Sequence, residues 1–188
     1  MNRINVFIVA VVLLFAADSI FAQTLLHYWN FNNNTNINTL LEPNSLIAGA
    51  SISHIAGGNS AIDVAGGTGQ NFNVENLNGR NGDVSGTHLR FNDPIGGGLV
   101  FAMPTTGYKD IVIKYATRRS SSGAGHQIVE YTTDGTNYTY LTTILPNNGN
   151  PTLITLDFTS LNEVNNNANF KIRYTFEQGP GGTVGNNR

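Results

Sequence analysis

Apolar side chains recur at every second position along most of this chain, and this period restricts the fold more than any other feature. The clearest stretch is residues 170–176, where four aromatic or aliphatic residues alternate with three polar ones. A period of two places alternate side chains on one face of a β-strand, whereas an amphipathic helix needs a period of 3.6. Further predicted strands are residues 25–31, 51–55, 88–91, 98–103, 111–115, 127–132, 138–142 and 152–158, and a helical turn is predicted only at residues 160–164.

Loops rich in asparagine and glycine separate these predicted strands. The chain has 27 asparagines and 21 glycines, and most of them fall between the alternating stretches. Both residue types tolerate the left-handed backbone conformations that tight turns need. Asp134-Gly135 lies between two alternating stretches, which is a strong hairpin signal. No long helices alternate with the strands, so we predict an all-β fold, an antiparallel β-sandwich of the jelly-roll type.

The N-terminal segment, residues 1–22, has the pattern of a secretory signal peptide. Arg3 precedes an apolar core at residues 6–17, and Ala22 provides a small residue before the predicted cleavage site. This apolar core is shorter than the roughly 20 residues of a typical membrane-spanning helix, although a retained N-terminal anchor is the alternative. We therefore expect a secreted, extracellular or cell-surface protein with no membrane span after cleavage. Residues 23–188 then form one β-sandwich domain.

Charge and cysteine content exclude several classes of protein. Charged residues make up 12% of the chain, and the net charge is −2, so we expect no nucleic-acid partner. The chain has no cysteine, which excludes disulfides, thiolate metal sites and a cysteine nucleophile. The glycine-rich stretches lack a phosphate-binding or nucleophile-elbow pattern. We therefore expect no catalytic residues, but a pair of glycosidase carboxylates has no recognisable spacing in sequence, and that alternative stays open.

Four aspartates are candidate metal ligands. They lie in or beside loops that also offer amide and backbone carbonyl oxygens, which are the ligands that calcium prefers. Their spacing does not match a known calcium loop, so the expected cofactor is none or a structural calcium ion. These candidates are Asp83, Asp93, Asp134 and Asp157.

Five aromatic and arginine residues in or near loops are candidate ligand-binding residues. Aromatic faces stack on sugar rings, and planar polar groups hydrogen-bond to sugar hydroxyls, so the expected partner is a polysaccharide or a cell-surface glycan. For each residue, packing on the sheet or simple solvation is the alternative, and Trp29 is interpreted as a core residue. The candidates are Tyr108, Arg118, Arg119, Tyr138 and Tyr140.

Several stretches resemble a known class of secreted domain. The segment LLHYWNFN at residues 25–32 is similar to the opening strand of secreted sandwich domains. The segments KYATRR at 114–119, EYTTDGTNY at 130–138 and NNANFKIR at 166–173 resemble a recurrent pattern of galactose-binding-like jelly rolls in large secreted proteins of Bacteroidota, many of them exported by the type IX secretion system. The resemblance implies a jelly-roll fold and a structural calcium ion in some members.

The end of the chain departs from that pattern. Domains of this class close with one more strand after a loop of glycine and asparagine, whereas this sequence stops at Arg188. We therefore expect a fragment that lacks its last strand, with an unpaired edge at residues 170–176 or at the neighbouring strand. The leading functional hypothesis is a non-catalytic module for glycan binding or adhesion. The alternative is the N-terminal accessory module of a longer secreted hydrolase.

Overall fold

The computed structural model describes residues 23–31, 44–55, 61–65, 77, 88–182 and 185–187, and the predicted signal peptide lies outside them. The described residues form twelve β-strands and one 3₁₀ turn. The strands are β1 (His27–Tyr28), β2 (Asn44–Ser45), β3 (Ser51–Ile55), β4 (Ala61–Ala65), β5 (His88–Asn92), β6 (Gly98–Ala102), β7 (Val112–Thr117), β8 (His126–Thr132), β9 (Thr139–Ile144), β10 (Thr152–Asp157), β11 (Lys171–Glu177) and β12 (Asn186–Asn187). The turn is Asn162–Val164, where the sequence predicts it.

All the paired strands run antiparallel. The largest sheet has five strands in the order β3-β6-β11-β8-β9, a second has the order β12-β5-β4, and β7 pairs with β10. β1 and β2 form a separate short pair. No helix in this described part of the chain is long and apolar enough to cross a lipid bilayer.

The central strand of the five-stranded sheet is β11. Its predicted inward residues are buried, namely Phe170 just before the strand and Ile172, Tyr174 and Phe176 within it. β6 pairs with one edge of β11 and β8 pairs with the other. β6 and β8 pair in turn with β3 and β9. The expectation of an unpaired edge at residues 170–176 or at the neighbouring strand is therefore wrong.

Two core clusters join the five-stranded sheet to the smaller sheets. In the first cluster, Val129 and Ile172 of the large sheet pack with Leu156 and Phe158, in and after β10. In the second cluster, residues of β6 and β11 pack with Leu89 and Phe91 of β5. The small sheets therefore cover one face of the large sheet, and the predicted all-β antiparallel sandwich is confirmed.

Trp29 links the two clusters, in agreement with its predicted place in the core. Its side chain packs against both, and its ring meets the ring of Phe101 edge-on at 5.4 Å between centroids. The strand predicted at residues 25–31 is much shorter in the structure, because only His27–Tyr28 is paired. Phe31 has a φ of 53°, which ends the extended conformation.

The loops gather at the two ends of the sandwich. At one end, the Asn167 side chain donates to the carbonyl of Thr133 at 3.0 Å, and we call this the Asn167 end. At the other end, Arg119 Nε donates to the carbonyl of Pro146 at 3.2 Å, and we call this the Arg119 end. The loop between β8 and β9 is at the Asn167 end, whereas β12 and the last described residues are at the Arg119 end.

Candidate functional site

The outward face of the five-stranded sheet carries a row of polar and aromatic side chains. Because Ile172 and Tyr174 of β11 face the core, Arg173 between them faces outward. The strand register places Glu130 of β8 opposite Arg173, and Tyr140 of β9 opposite Glu130. The row therefore crosses three adjacent strands.

A β-bulge turns Tyr140 toward this outward face. Val129 pairs with Thr142, but the next residue of β8, Glu130, pairs with Tyr140, so Leu141 is an extra residue in β9. Leu141 packs against the first core cluster. In regular alternation the side chain of Tyr140 would face inward, as that of Thr142 does. The extra residue Leu141 therefore turns the Tyr140 side chain outward.

An ion pair and an aromatic ring hold the centre of the row. Arg173 Nε donates to Glu130 Oε2 at 2.6 Å, and both side chains are half-buried. The guanidinium carbon of Arg173 lies 3.9 Å from the centroid of the Tyr138 ring, which is a cation–π contact. The hydrogen bond to Glu130 raises the pKa of Arg173 above its usual value. The Tyr138 ring therefore packs against the charged pair at the centre of the row.

Tyr140 is the exposed member of this row. Its side chain is 61% exposed, and its hydroxyl lies 3.1 Å from Thr143 Oγ1 on the same face. Among the large apolar residues exposed in the described part of the chain, Tyr140 is the aromatic one. The exposed Tyr140 ring therefore lies in the same row as the positively charged Arg173 and the negatively charged Glu130, both of which form hydrogen bonds.

The structure places the five predicted ligand-binding residues in three locations. Tyr138 and Tyr140 lie together on the outward face. Tyr108 lies at the Asn167 end and packs against the first core cluster, while its carbonyl accepts from the Asn166 amide at 2.8 Å. Arg118 and Arg119 lie at the Arg119 end, beyond the last residue of β7.

Arg119 has a set of backbone partners that suits a structural role. Its guanidinium donates to the carbonyls of Pro146, Ser120 and Ser121 at 3.2, 3.3 and 2.9 Å. Its backbone also bridges to Asn148 and to Asn187. These contacts tie the β9–β10 loop and β12 together. The Nε atom of Arg118 is buried without a hydrogen-bond partner among the described residues.

The three predicted calcium ligands that the structure describes do not form a metal-binding group. Asp83 lies outside the described residues, Asp93 lies in a turn with a φ of 47°, and Asp157 accepts from the Thr159 amide at 2.9 Å. Across the described residues, no group of three or more histidine, aspartate or glutamate side chains could hold a metal ion. A structural calcium ion stays a prediction.

Asp134 organises the loop between β8 and β9. One carboxylate oxygen accepts from the Asn137 amide at 2.7 Å and from the Thr136 amide at 2.8 Å, and the other accepts from the Asn137 side chain at 2.6 Å. These hydrogen bonds hold the pKa of Asp134 well below its usual value of 3.8, and the bond from the Asn137 side chain makes the largest contribution to this shift.

This shift predicts a dependence of stability on pH. A carboxyl group with a lowered pKa in the folded state contributes stability above its unfolded pKa, and this contribution disappears as the pH falls toward the folded pKa. We expect the melting temperature of Asp134→Asn to fall less than that of the unaltered chain between about pH 4 and pH 2. Thermal unfolding followed by circular dichroism measures this. Asp110→Asn is the control, since that carboxylate lies at the surface 3.7 Å from Lys109 Nζ; an equal flattening in both variants would contradict the assignment.

Comparison with known proteins finds a likeness in structure. No protein-family model matches the chain, and no curated protein sequence matches it. A solved structure of an arabinose-bound α-L-arabinofuranosidase of glycoside hydrolase family 51 is similar, with a TM-score of 0.50 and 16% sequence identity. The likeness covers 86% of this chain but only 25% of the arabinofuranosidase chain. At this identity the likeness shows the fold alone.

Proposed function

We propose that this chain is a non-catalytic module that binds glycan on the outward face of the five-stranded sheet. The observation that carries the proposal is the exposed ring of Tyr140 beside the Arg173–Glu130 pair and the Tyr138 ring. The C–H groups of a sugar ring stack on an aromatic face. Sugar hydroxyls bond to guanidinium donors and carboxylate acceptors, which the row offers together.

The chemistry of the row favours binding over hydrolysis. Most glycosidases use two carboxyl groups on either side of the scissile bond, one of which must donate a proton. In this row the carboxylate of Glu130 is engaged by a charge-assisted hydrogen bond from Arg173 at 2.6 Å. The pair therefore suits recognition of hydroxyl groups.

A second candidate function is an accessory module of a longer secreted hydrolase. The similar arabinofuranosidase supports it, because the likeness covers a quarter of that larger enzyme. Both candidates use the same binding face and include export through the signal peptide predicted at residues 1–22. Reading the genomic DNA past Arg188 distinguishes them: a downstream catalytic domain favours the accessory module.

The test of the binding face is replacement of its exposed aromatic residue. We expect Tyr140→Ala to weaken binding to a glycan by about tenfold or more, because the stacking surface is lost, and about tenfold corresponds to 1.4 kcal/mol. Tyr140→Phe keeps the ring and should bind within about threefold of the unaltered chain. Affinity electrophoresis against a panel of soluble polysaccharides, arabinan and arabinoxylan included, followed by calorimetry, measures both.

The matched control is Leu46→Ala, because Leu46 is 66% exposed and directly follows β2, outside the five-stranded sheet. This variant should bind like the unaltered chain. Equal weakening in Leu46→Ala and Tyr140→Ala would mean that the outward face is not the site. Failure of the unaltered chain to bind any polysaccharide of the panel would overturn the proposed function.

A further inference from the structure

The ion pair at the centre of the outward row keeps hydrogen-bonding atoms open to solvent. Arg173 donates from Nε to Glu130 Oε2 at 2.6 Å, and the two side chains keep 31% and 21% of their surfaces exposed. Within the described part of the chain, no hydrogen bond occupies the terminal amino groups of Arg173 or the Oε1 atom of Glu130. The pair therefore offers a ligand donors and an acceptor at neighbouring positions.

The row runs across the strands, so its members are spaced by the distance between strands. Glu130 lies opposite Tyr140 on one side and opposite Arg173 on the other. Neighbouring strands are about 4.8 Å apart, so Tyr140 and Arg173 are about 10 Å apart across the sheet. The face of the Tyr138 ring is covered by the guanidinium group, 3.9 Å from the ring centroid, and gives no second stacking surface. One sugar thus stacks on Tyr140, and the next sugar of an extended chain lies over the Arg173–Glu130 pair.

The charges on this face are balanced. The positive charge of Arg173 is matched by Glu130, and Lys171 Nζ donates to the carbonyl of Gly135 at 3.1 Å. At the other end of β11, Glu177 adds a negative charge to the same face. The carboxylate of an acidic sugar would find Arg173 already paired and would be repelled by Glu130 beside it. A neutral sugar meets neither obstacle.

We propose that the ligand is a neutral polysaccharide and that the Arg173–Glu130 pair recognises two neighbouring free hydroxyl groups on one of its sugars; this inference rests on the glycan-binding function proposed above. One hydroxyl donates to Glu130 Oε1, and the other accepts from a terminal amino group of Arg173. A carboxylate only accepts and a guanidinium only donates, whereas a hydroxyl does both, so two adjacent hydroxyls satisfy the pair. An esterified hydroxyl has no hydrogen to donate and leaves the carboxylate without its partner.

The first experiment uses the unaltered chain. Affinity electrophoresis and calorimetry compare three neutral polysaccharides, linear arabinan, galactan and xylan, with the acidic polygalacturonate. We expect the best neutral polysaccharide to bind at least about tenfold more tightly than polygalacturonate. Its affinity should change by less than about twofold between about 0.05 and 0.5 M sodium chloride, because no net charge is matched across the contact. Partial O-acetylation of that polysaccharide should weaken binding by about tenfold, and deacetylation in mild alkali should restore it.

The second experiment removes one charge of the pair. Glu130→Gln keeps the shape of the side chain but leaves the charge of Arg173 unmatched. We expect this variant to bind the neutral polysaccharide about fivefold more weakly and to gain a salt-sensitive affinity for polygalacturonate. A merely structural role of Glu130 would not produce that gain. Circular dichroism checks that the variant is folded, and the acetylation measurement on the unaltered chain does not depend on it.

Glu177→Gln is the matched control, because it makes the same change in net charge on the same face, four residues beyond Arg173 along β11. It should neither weaken binding to the neutral polysaccharide nor create binding to polygalacturonate. Tyr140→Ala should lose the neutral polysaccharide without gaining the acidic one, since the ion pair stays intact.

The outcomes separate this inference from the proposed function. If the unaltered chain binds no polysaccharide of the panel, the proposed function itself fails. If it binds through Tyr140 but prefers polygalacturonate, or binds the acetylated and deacetylated polymers equally, the function stands and the neutral, hydroxyl-reading site is overturned. Identical behaviour of Glu130→Gln and Glu177→Gln would overturn it as well.

Discussion

Replacement of Phe158 with alanine is expected to lower the free energy of unfolding by about 3–5 kcal/mol. The Phe158 side chain is 0% exposed, and its ring meets the rings of Tyr131 and Phe170 edge-on at 5.7 and 5.3 Å between centroids. The residue follows β10, and its amide donates to the carbonyl of Ile111 at 2.9 Å. Phe158 therefore joins the five-stranded sheet to the layer of β7 and β10, and its truncation leaves a cavity between them.

Urea unfolding followed by tryptophan fluorescence measures this loss, because Trp29 packs against the same cluster. Leu153→Ala is the matched control on β10, where Leu153 is 40% exposed, and it should cost less than about 1 kcal/mol. Comparable losses in the two variants would show that the first core cluster does not hold the layers together.

Replacement of Gly98 with alanine is expected to cost about 3 kcal/mol or more, although it adds a single methyl group. A Cβ atom at this position would lie 1.9 Å from the carbonyl oxygen of Tyr174. That oxygen belongs to the backbone of β11, the central strand, which is paired on both edges and has no room to move. The methyl group would therefore force β6 away from β11.

The same thermal and urea measurements test this effect, and Gly149→Ala is its control. A Cβ atom at Gly149 would lie 3.7 Å from the nearest Asn147 side-chain atom, which is an ordinary contact, so that variant should melt close to the unaltered chain. Native-like melting of Gly98→Ala would mean that β6 and β11 do not approach as closely as the register indicates.

The strands were predictable from sequence wherever one face is buried. Along β11 the burial alternates without interruption, and the period of two is plain in the residues themselves. β4, Ala61–Ala65, was not predicted. Its five residues lie between glycine-rich segments and are too few to show a recognisable alternation of apolar and polar side chains. The hairpin of β8 and β9 was predictable from Asp134-Gly135 and is confirmed. The pairing of distant strands was not predictable, since β11 joins β6 and β8, which come much earlier in the chain.

The candidate site was predictable in part. Tyr138 and Tyr140 were predicted because tyrosines beside a hairpin loop are available to a ligand. Arg173 and Glu130 were missed, although alternation along β11 already turned Arg173 outward. Their ion pair joins residues 43 positions apart in the chain, and only the strand register brings them together.

The bulge at Leu141 has a consequence for how such a binding face could be gained or lost during evolution. The direction of Tyr140 depends on the number of residues in β9, so an insertion or deletion of one residue reverses it while the composition hardly changes. A point substitution changes one side chain on the outward face. A one-residue change in the length of β9 instead changes which of its residues lie on that face. Two homologous domains with the same tyrosine in aligned positions can therefore differ in whether it meets solvent or the core.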